Sequence, residues 1–344
     1  MEKAIFLKKS KLDDFLGKLS EGYRVYVPVK KDEQRFFRKY AGPAADIVIG
    51  EIRPFEPLKA FFTRCREKVA DGFKPDIPHE NDKPFAIIGV KACDLKGFKI
   101  QDHVFRGPDF PDAFYIKNRE ENFIVSADCT CAIETCFCTA MGIGPHPTED
   151  FDINLSVIEA GFWADPGSEK GREFIRKNPS LFEPATDTQL REKEAQREKI
   201  FHEVEGNVSR NEIPKQDHFQ GIIERNFNAD LWADEAKTCV ECGACTVICP
   251  TCHCFLLYDQ KDGEKMARLR TWDSCMLKGY ARVAGGGNPR DKLFMRLRNR
   301  FEKKFDFFPK AINIYACTGC GRCVSACPAT IDIRKVLRRL VDHA

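Results

Sequence analysis

The sequence predicts an α/β N-terminal domain with a mostly parallel sheet, followed by an α-helical domain built around two cysteine runs. Three observations carry this reading. Short apolar β-type runs alternate with amphipathic stretches through the first 165 residues, a charged helix-prone segment comes next, and from Phe219 onward the pattern turns helical. The expected boundaries are 1–185 for the α/β domain, 186–218 for a charged helical linker and 219–344 for the helical domain.

The β-type runs come in order as Tyr23-Arg-Val-Tyr-Val-Pro-Val, Asp46-Ile-Val-Ile, Phe85-Ala-Ile-Ile-Gly-Val, Asn122-Phe-Ile-Val-Ser and Leu155-Ser-Val-Ile-Glu. Their alternation with helical stretches favours parallel strands joined by helical crossovers. The linker, with Thr188-Gln-Leu-Arg-Glu-Lys-Glu-Ala-Gln-Arg at its centre, has few apolar positions and reads as a solvated helix.

The chain has 344 residues, 43% apolar and 31% charged, which suits a globular protein of about two domains. Its 55 basic and 52 acidic residues nearly cancel, so charge gives no argument for nucleic acid or an anionic membrane. No stretch approaches the ~20 apolar residues of a membrane span, and the N-terminus lacks the apolar run of an export signal. A cytoplasmic protein is therefore expected. The outlier is cysteine, with 17 residues in a chain too long to need disulfide staples. Such thiols point to metal ligation and, because they oxidise readily, to an anaerobic setting.

Two runs match CxxCxxCxxxCP: Cys239-Val-Glu-Cys242-Gly-Ala-Cys245-Thr-Val-Ile-Cys249-Pro250 and Cys317-Thr-Gly-Cys320-Gly-Arg-Cys323-Val-Ser-Ala-Cys327-Pro328. Two-residue spacers let three thiolates wrap one cubane, and in two-cluster ferredoxins the fourth cysteine serves the other cluster. The predicted 4Fe-4S ligand sets are Cys239, Cys242, Cys245 and Cys327, and Cys317, Cys320, Cys323 and Cys249. Zinc sites more often use two separated CxxC pairs. The long insertion between Cys249 and Cys317 suggests an α-helical ferredoxin-type arrangement rather than a small β-scaffold.

The other cysteines form two groups and a single. Cys93 and Cys129 each follow a β-type run, so a parallel sheet would place both at its carboxyl edge, where open α/β sheets hold ligands. Cys131, Cys136 and Cys138 reach the same edge. A third iron-sulfur cluster is expected there on Cys93, Cys129, Cys136 and Cys138, with Cys131 spare, and the N-terminal half is expected to bind it independently. Cys252, His253, Cys254 and Cys275 offer either a further metal site or groups that pack and hydrogen-bond around the two clusters. Cys65 reads as a core residue. Gly285-Gly-Gly-Asn-Pro reads as a turn, and the basic stretch Arg296-Leu-Arg-Asn-Arg-Phe-Glu-Lys-Lys-Phe as a solvated helix face able to steer an acidic partner.

Four segments, Gly89-Val-Lys-Ala-Cys93-Asp-Leu-Lys, Cys136-Phe-Cys138-Thr-Ala-Met-Gly-Ile-Gly-Pro145, Cys249-Pro-Thr-Cys252-His-Cys254-Phe and Trp272-Asp-Ser-Cys275-Met, resemble the beta subunit of cytoplasmic sulfhydrogenases and the related A subunit of anaerobic sulfite reductase. The resemblance implies an iron-sulfur relay between a flavin-containing, NAD(P)H-binding partner and a catalytic subunit such as a hydrogenase, a sulfur or sulfite reductase, or part of an electron-bifurcating complex. It also implies functional roles for Cys93, Cys129, Cys136, Cys138, Cys252, Cys254 and Cys275.

Paired catalytic acids and bases, nucleophile constellations and nucleotide loops are missing from the sequence, so it reads as an oxidoreductase component without a substrate site of its own. The competing reading is catalytic, with Cys252, Cys254 and Cys275 at a non-standard cluster that reduces a disulfide or sulfur species. A redox-responsive regulator ranks last, because no nucleic-acid-binding motif is present.

Overall fold

A computed structural model describes residues 5–43, 46–72, 74–75, 83–263 and 265–343. In chain order the strands are β1 (Ile5–Lys8), β2 (Arg24–Lys31), β3 (Gln34–Lys39), β4 (Arg66–Asp71), β5 (Lys74–Pro75) and β6 (Phe85–Val90). There follow β7 (Phe123–Ala127), β8 (Ile153–Ile158), β9 (Gly161–Pro166), β10 (Phe182–Pro184), β11 (Phe255–Asp262) and β12 (Lys265–Trp272).

Eight of them build one sheet in the order β10-β1-β9-β8-β7-β6-β2-β3. The pairings of β2 with β6, β6 with β7 and β7 with β8 are parallel, and the four outer pairings are antiparallel. The sheet is therefore mixed, where a mostly parallel one is expected. The reason lies in its connections: β2–β3 and β8–β9 are hairpins with two-residue links, too short for a crossover helix.

The parallel centre matters most for the site. Every residue of β6 and β7 is buried, as in strands covered on both faces. Ala86, Ile88, Val125 and Ala127 face one core with Phe15, Leu16 and Leu19, whereas Phe85, Ile87 and Ile124 face another with Phe62, Phe98 and Tyr115. Buried this way, the two strand ends are rigid supports for whatever follows them.

Helix Asp187–Arg210 begins with a full capping box, in which Thr186 accepts from the Gln189 backbone and Gln189 from that of Thr186. It is not solvated all round. Ile200 and Val204 pack with Cys138, Arg197 pairs with Asp128, and Asn207 donates to the carbonyls of Ile133 and Cys136.

The C-terminal half contains short helices, as expected, together with a hairpin that was not. Strands β11 and β12 pair with each other and, through β12, with β4, giving a second sheet ordered β11-β12-β4-β5. The insertion between the cysteine runs is thus part β, and it ties the two halves together. The alternation around Asp262-Gly263 supplies the hairpin signal in sequence. Cys65, expected in a core, is exposed just before β4.

Among the described residues no helix is long and apolar enough to cross a membrane.

Candidate metal centres

The two ferredoxin-type runs fold alike. Each makes a left-handed turn, at Gly243 and at Gly321, that opens a four-residue helix, Ala244–Val247 or Arg322–Ser325. These two short helices pack on each other. Burial raises the thiol pKa values of Cys239 and Cys245, with the nearby Cys327 adding to it, and Cys249 adds in the same way to the burial of Cys317 and Cys323. Cys327 therefore sits with Cys239 and Cys245 of the first run, and Cys249 with Cys317 and Cys323 of the second. Cys239, Cys242, Cys245 and Cys327 line one common cavity.

The thiols at the carboxyl edge of the large sheet also gather. Cys93 follows β6 and Cys129 follows β7, which are adjacent and parallel. Cys129 has Cys136 and Cys131 as neighbours, and Cys138 has Cys136 and Cys129. Cys320, from the second ferredoxin-type run, is close to Cys93, Cys136 and Cys138 as well. This grouping is not independent of the C-terminal half. Phe137 N–H donates to the Gly319 carbonyl at 2.9 Å, and Phe137, Ala140 and Met141 belong to the C-terminal core with Phe219, Trp232, Phe301 and Leu337. The fit leaves no room for side chains: a Cβ on Gly319 would lie 2.5 Å from the Cys138 Cα, and one on Gly321 would strike the Thr135 carbonyl.

Cys252, Cys254 and Cys275 do not form one threefold group. Cys252 lies beside Cys249, and Cys275 beside Cys254, so they divide into two pairs. The hydrogen bond from Cys275, aided by Lys303, lowers the Cys254 thiol to about 4. His253 is half-buried, its imidazole pKa is lowered by desolvation, and its Nδ1 lies 3.1 Å from the Thr251 carbonyl. Among the described residues no three His, Cys, Asp or Glu side chains converge on a single ion.

Burial sets the protonation of most of these thiols. It pushes Cys129 and Cys317 up to about 12 and Cys323 to about 11. Cys249 goes the other way, lowered by the hydrogen bond from Cys252 and then by the Lys304 charge, with Lys304 Nζ 3.3 Å from its sulfur.

The surprise is a set of buried cations. Arg296, Arg300 and Lys304, placed in sequence on a solvated face, are each no more than 4% exposed. They recur every four residues, on one face of a helix that runs from Leu293 through a π-helical turn at Lys303–Phe307. Lys304 donates to Cys249 and to the Ala316 carbonyl, while Arg296 holds the carbonyls of Met276, Arg290 and Asp291. Lys91 and Arg322 are buried beside the sheet-edge thiols, with Arg322 paired to Asp94 at 2.7 Å. The signal available in sequence was the i, i+4, i+8 spacing of 296, 300 and 304 in phase with Leu297, Phe301 and Phe305.

Several polar atoms at these centres are buried without a hydrogen-bond partner among the described residues, including Arg300 Nε and Nη2, Arg322 Nη1 and Thr318 Oγ1. Cations and unused donors around grouped thiolates are what an anionic iron-sulfur centre needs, so the residues fit such a group.

Comparison with known proteins agrees. Residues 238–331 match the family described as a 4Fe-4S dicluster domain. The chain is 33% identical over 326 residues to the sulfhydrogenase 2 subunit beta of Pyrococcus furiosus, covering 94% of each chain. This chain belongs to the sulfhydrogenase beta-subunit family. No solved structure matches it. The dicluster match spans both cysteine runs.

Proposed function

We propose that the chain is the iron-sulfur relay subunit of a multi-subunit oxidoreductase, passing electrons between a flavin-bearing, NAD(P)H-binding partner and a catalytic subunit of the hydrogenase or sulfur-reductase type. The observation that carries this is serial adjacency. The Cys239 grouping meets the Cys317 grouping through the exchanged cysteines, and the Cys317 grouping meets the sheet-edge thiols through Cys320.

Two 4Fe-4S clusters would be held by Cys239, Cys242, Cys245 and Cys327 and by Cys317, Cys320, Cys323 and Cys249. A third would lie on Cys93, Cys129, Cys136 and Cys138, with Cys131 beside them. Bound there, such groups supply one-electron storage. The chain's own residues bury the thiols, exclude water and surround them with fixed positive charge. Cys242 is exposed, so the Cys239 grouping presents one face outward.

Anaerobic co-purification tests the partners, with two stable redox subunits expected. Recovery of the chain alone from native extracts, with clusters intact, would contradict the proposal.

One observation favours a second reading. Cys252, His253 and Cys254 line a pocket with Lys59, Arg270 and Trp272, and Cys254 carries its paired Cys275. A catalytic subunit would use this pair on a disulfide or sulfur substrate. The purified chain, supplied with an artificial reductant, should show no turnover of cystine or polysulfide; sustained turnover would favour the second reading.

A further inference from the structure

Arg300 stands on the helix Leu293–Glu302 with its side chain enclosed, 4% exposed. No carboxylate pairs with it among the described residues, and its Nε and Nη2 donate to nothing there. A guanidinium buried in this way is costly unless something anionic faces it. What faces it is sulfur. Arg300 lines the cavity that also holds Cys239, Cys242, Cys245 and Cys327. The thiols that act most strongly on its charge are Cys245, from the first run, and Cys323, from the second, followed by Cys252 and Cys249.

The neighbouring cations are placed differently. Lys304 reaches the second grouping alone, through Cys249. Arg322 is already paired with Asp94 and lies between Cys320 and Cys93, beside the second grouping and the sheet edge. Arg300 is therefore the cation set between the two ferredoxin-type groupings, with donors to spare for both.

We infer that Arg300 bridges the two cluster seats, donating its unused N–H groups to sulfur on each side and setting the potentials of both centres together. The inference rests on the iron-sulfur reading above. Reduction adds a negative charge to a centre, and a fixed cation with N–H donors stabilises that charge, so the potential rises. One guanidinium shared between neighbouring seats raises both and keeps the step between them small. Loss of its charge lowers both.

The test uses the anaerobically prepared full chain, the variants Arg300→Gln and Arg300→Lys, and iron and sulfide content measured before any titration. Arg300→Gln should keep the wild-type iron content. In an EPR-monitored redox titration, both dicluster centres should then lose at least tenfold in their reduction equilibrium, about 59 mV each for a one-electron step. Arg300→Lys should recover part of that shift. Unchanged potentials in fully loaded Arg300→Gln, or a shift confined to one centre, would overturn the inference. Should Arg300→Gln fail to load, arginine-15N hyperfine couplings decide: wild type should show them at both reduced centres, and Arg300→Lys should lose them at the Cys239 seat. Wild type lacking such a coupling at one seat or at both would overturn the inference, whereas wild type without iron would overturn the functional reading beneath it.

Discussion

Cys327 and Cys249 bear the clearest residue-level consequence of the fold, because each stands with thiols far from it in sequence. Cys327→Ala should therefore perturb the centre built on Cys239, Cys242 and Cys245, and leave the first three cysteines of its own run with their cluster. EPR of the two centres separates the outcomes, and loss confined to the Cys317 grouping would refute the exchange. Arg322 makes a second prediction. Removing it as Arg322→Met strands Asp94, 3% exposed, as an unpaired buried carboxylate and should cost about 3–5 kcal/mol in chemical unfolding. Adding Asp94→Asn should restore much of that loss, and a single variant as stable as wild type would contradict the pairing. At this scale the sequence yields the cysteines and hides the cations. CxxCxxCxxxCP announces itself, but an arginine facing a cluster and one facing water are the same letter, separated only by helical phase.

Among the elements, the loop from Cys129 to Cys138 is the decisive one, since it leaves a strand of the large sheet yet lodges its Phe137 in the C-terminal core. A fragment ending near Pro184 should consequently fail to hold an iron-sulfur cluster, even though the five sheet-edge thiols are all present. It lacks Gly319, Cys320 and the core that seats the loop. Anaerobic reconstitution of fragment and full chain side by side measures this, and a fragment that binds about four iron would show the site to be self-sufficient. The strand ends before Cys93 and Cys129 were legible from apolar runs of the right length. The antiparallel flanks of the sheet were not, because a buried run looks the same whichever way its neighbour points. The alternation around Asp262-Gly263 carries a local signal for the hairpin of β11 and β12, but its partner β4 lies nearly two hundred residues earlier in the chain. Long-range pairing of that kind leaves no local mark.

Across the whole molecule, thiols from both halves lie in series inside a shell of buried cations, so assembly should depend on pH. Cys129, Cys317 and Cys323, pushed up to about 12, 12 and 11, are protonated near neutrality, and each must release a proton on binding iron. Falling pH therefore opposes cluster insertion. Iron incorporation at limiting iron should drop steadily from about pH 8.5 to about pH 6.5, and incorporation that is flat over this range would contradict the burial of these thiols. The proposed relay has three iron-sulfur stations in one chain, and the most direct measurement is the iron and acid-labile sulfide content of the anaerobically purified full chain, paired with EPR of its reduced state. The prediction is about twelve iron and twelve sulfide per chain with interacting spins from neighbouring centres; a colourless protein with stoichiometric zinc, or a content fixed at about eight iron, would contradict it.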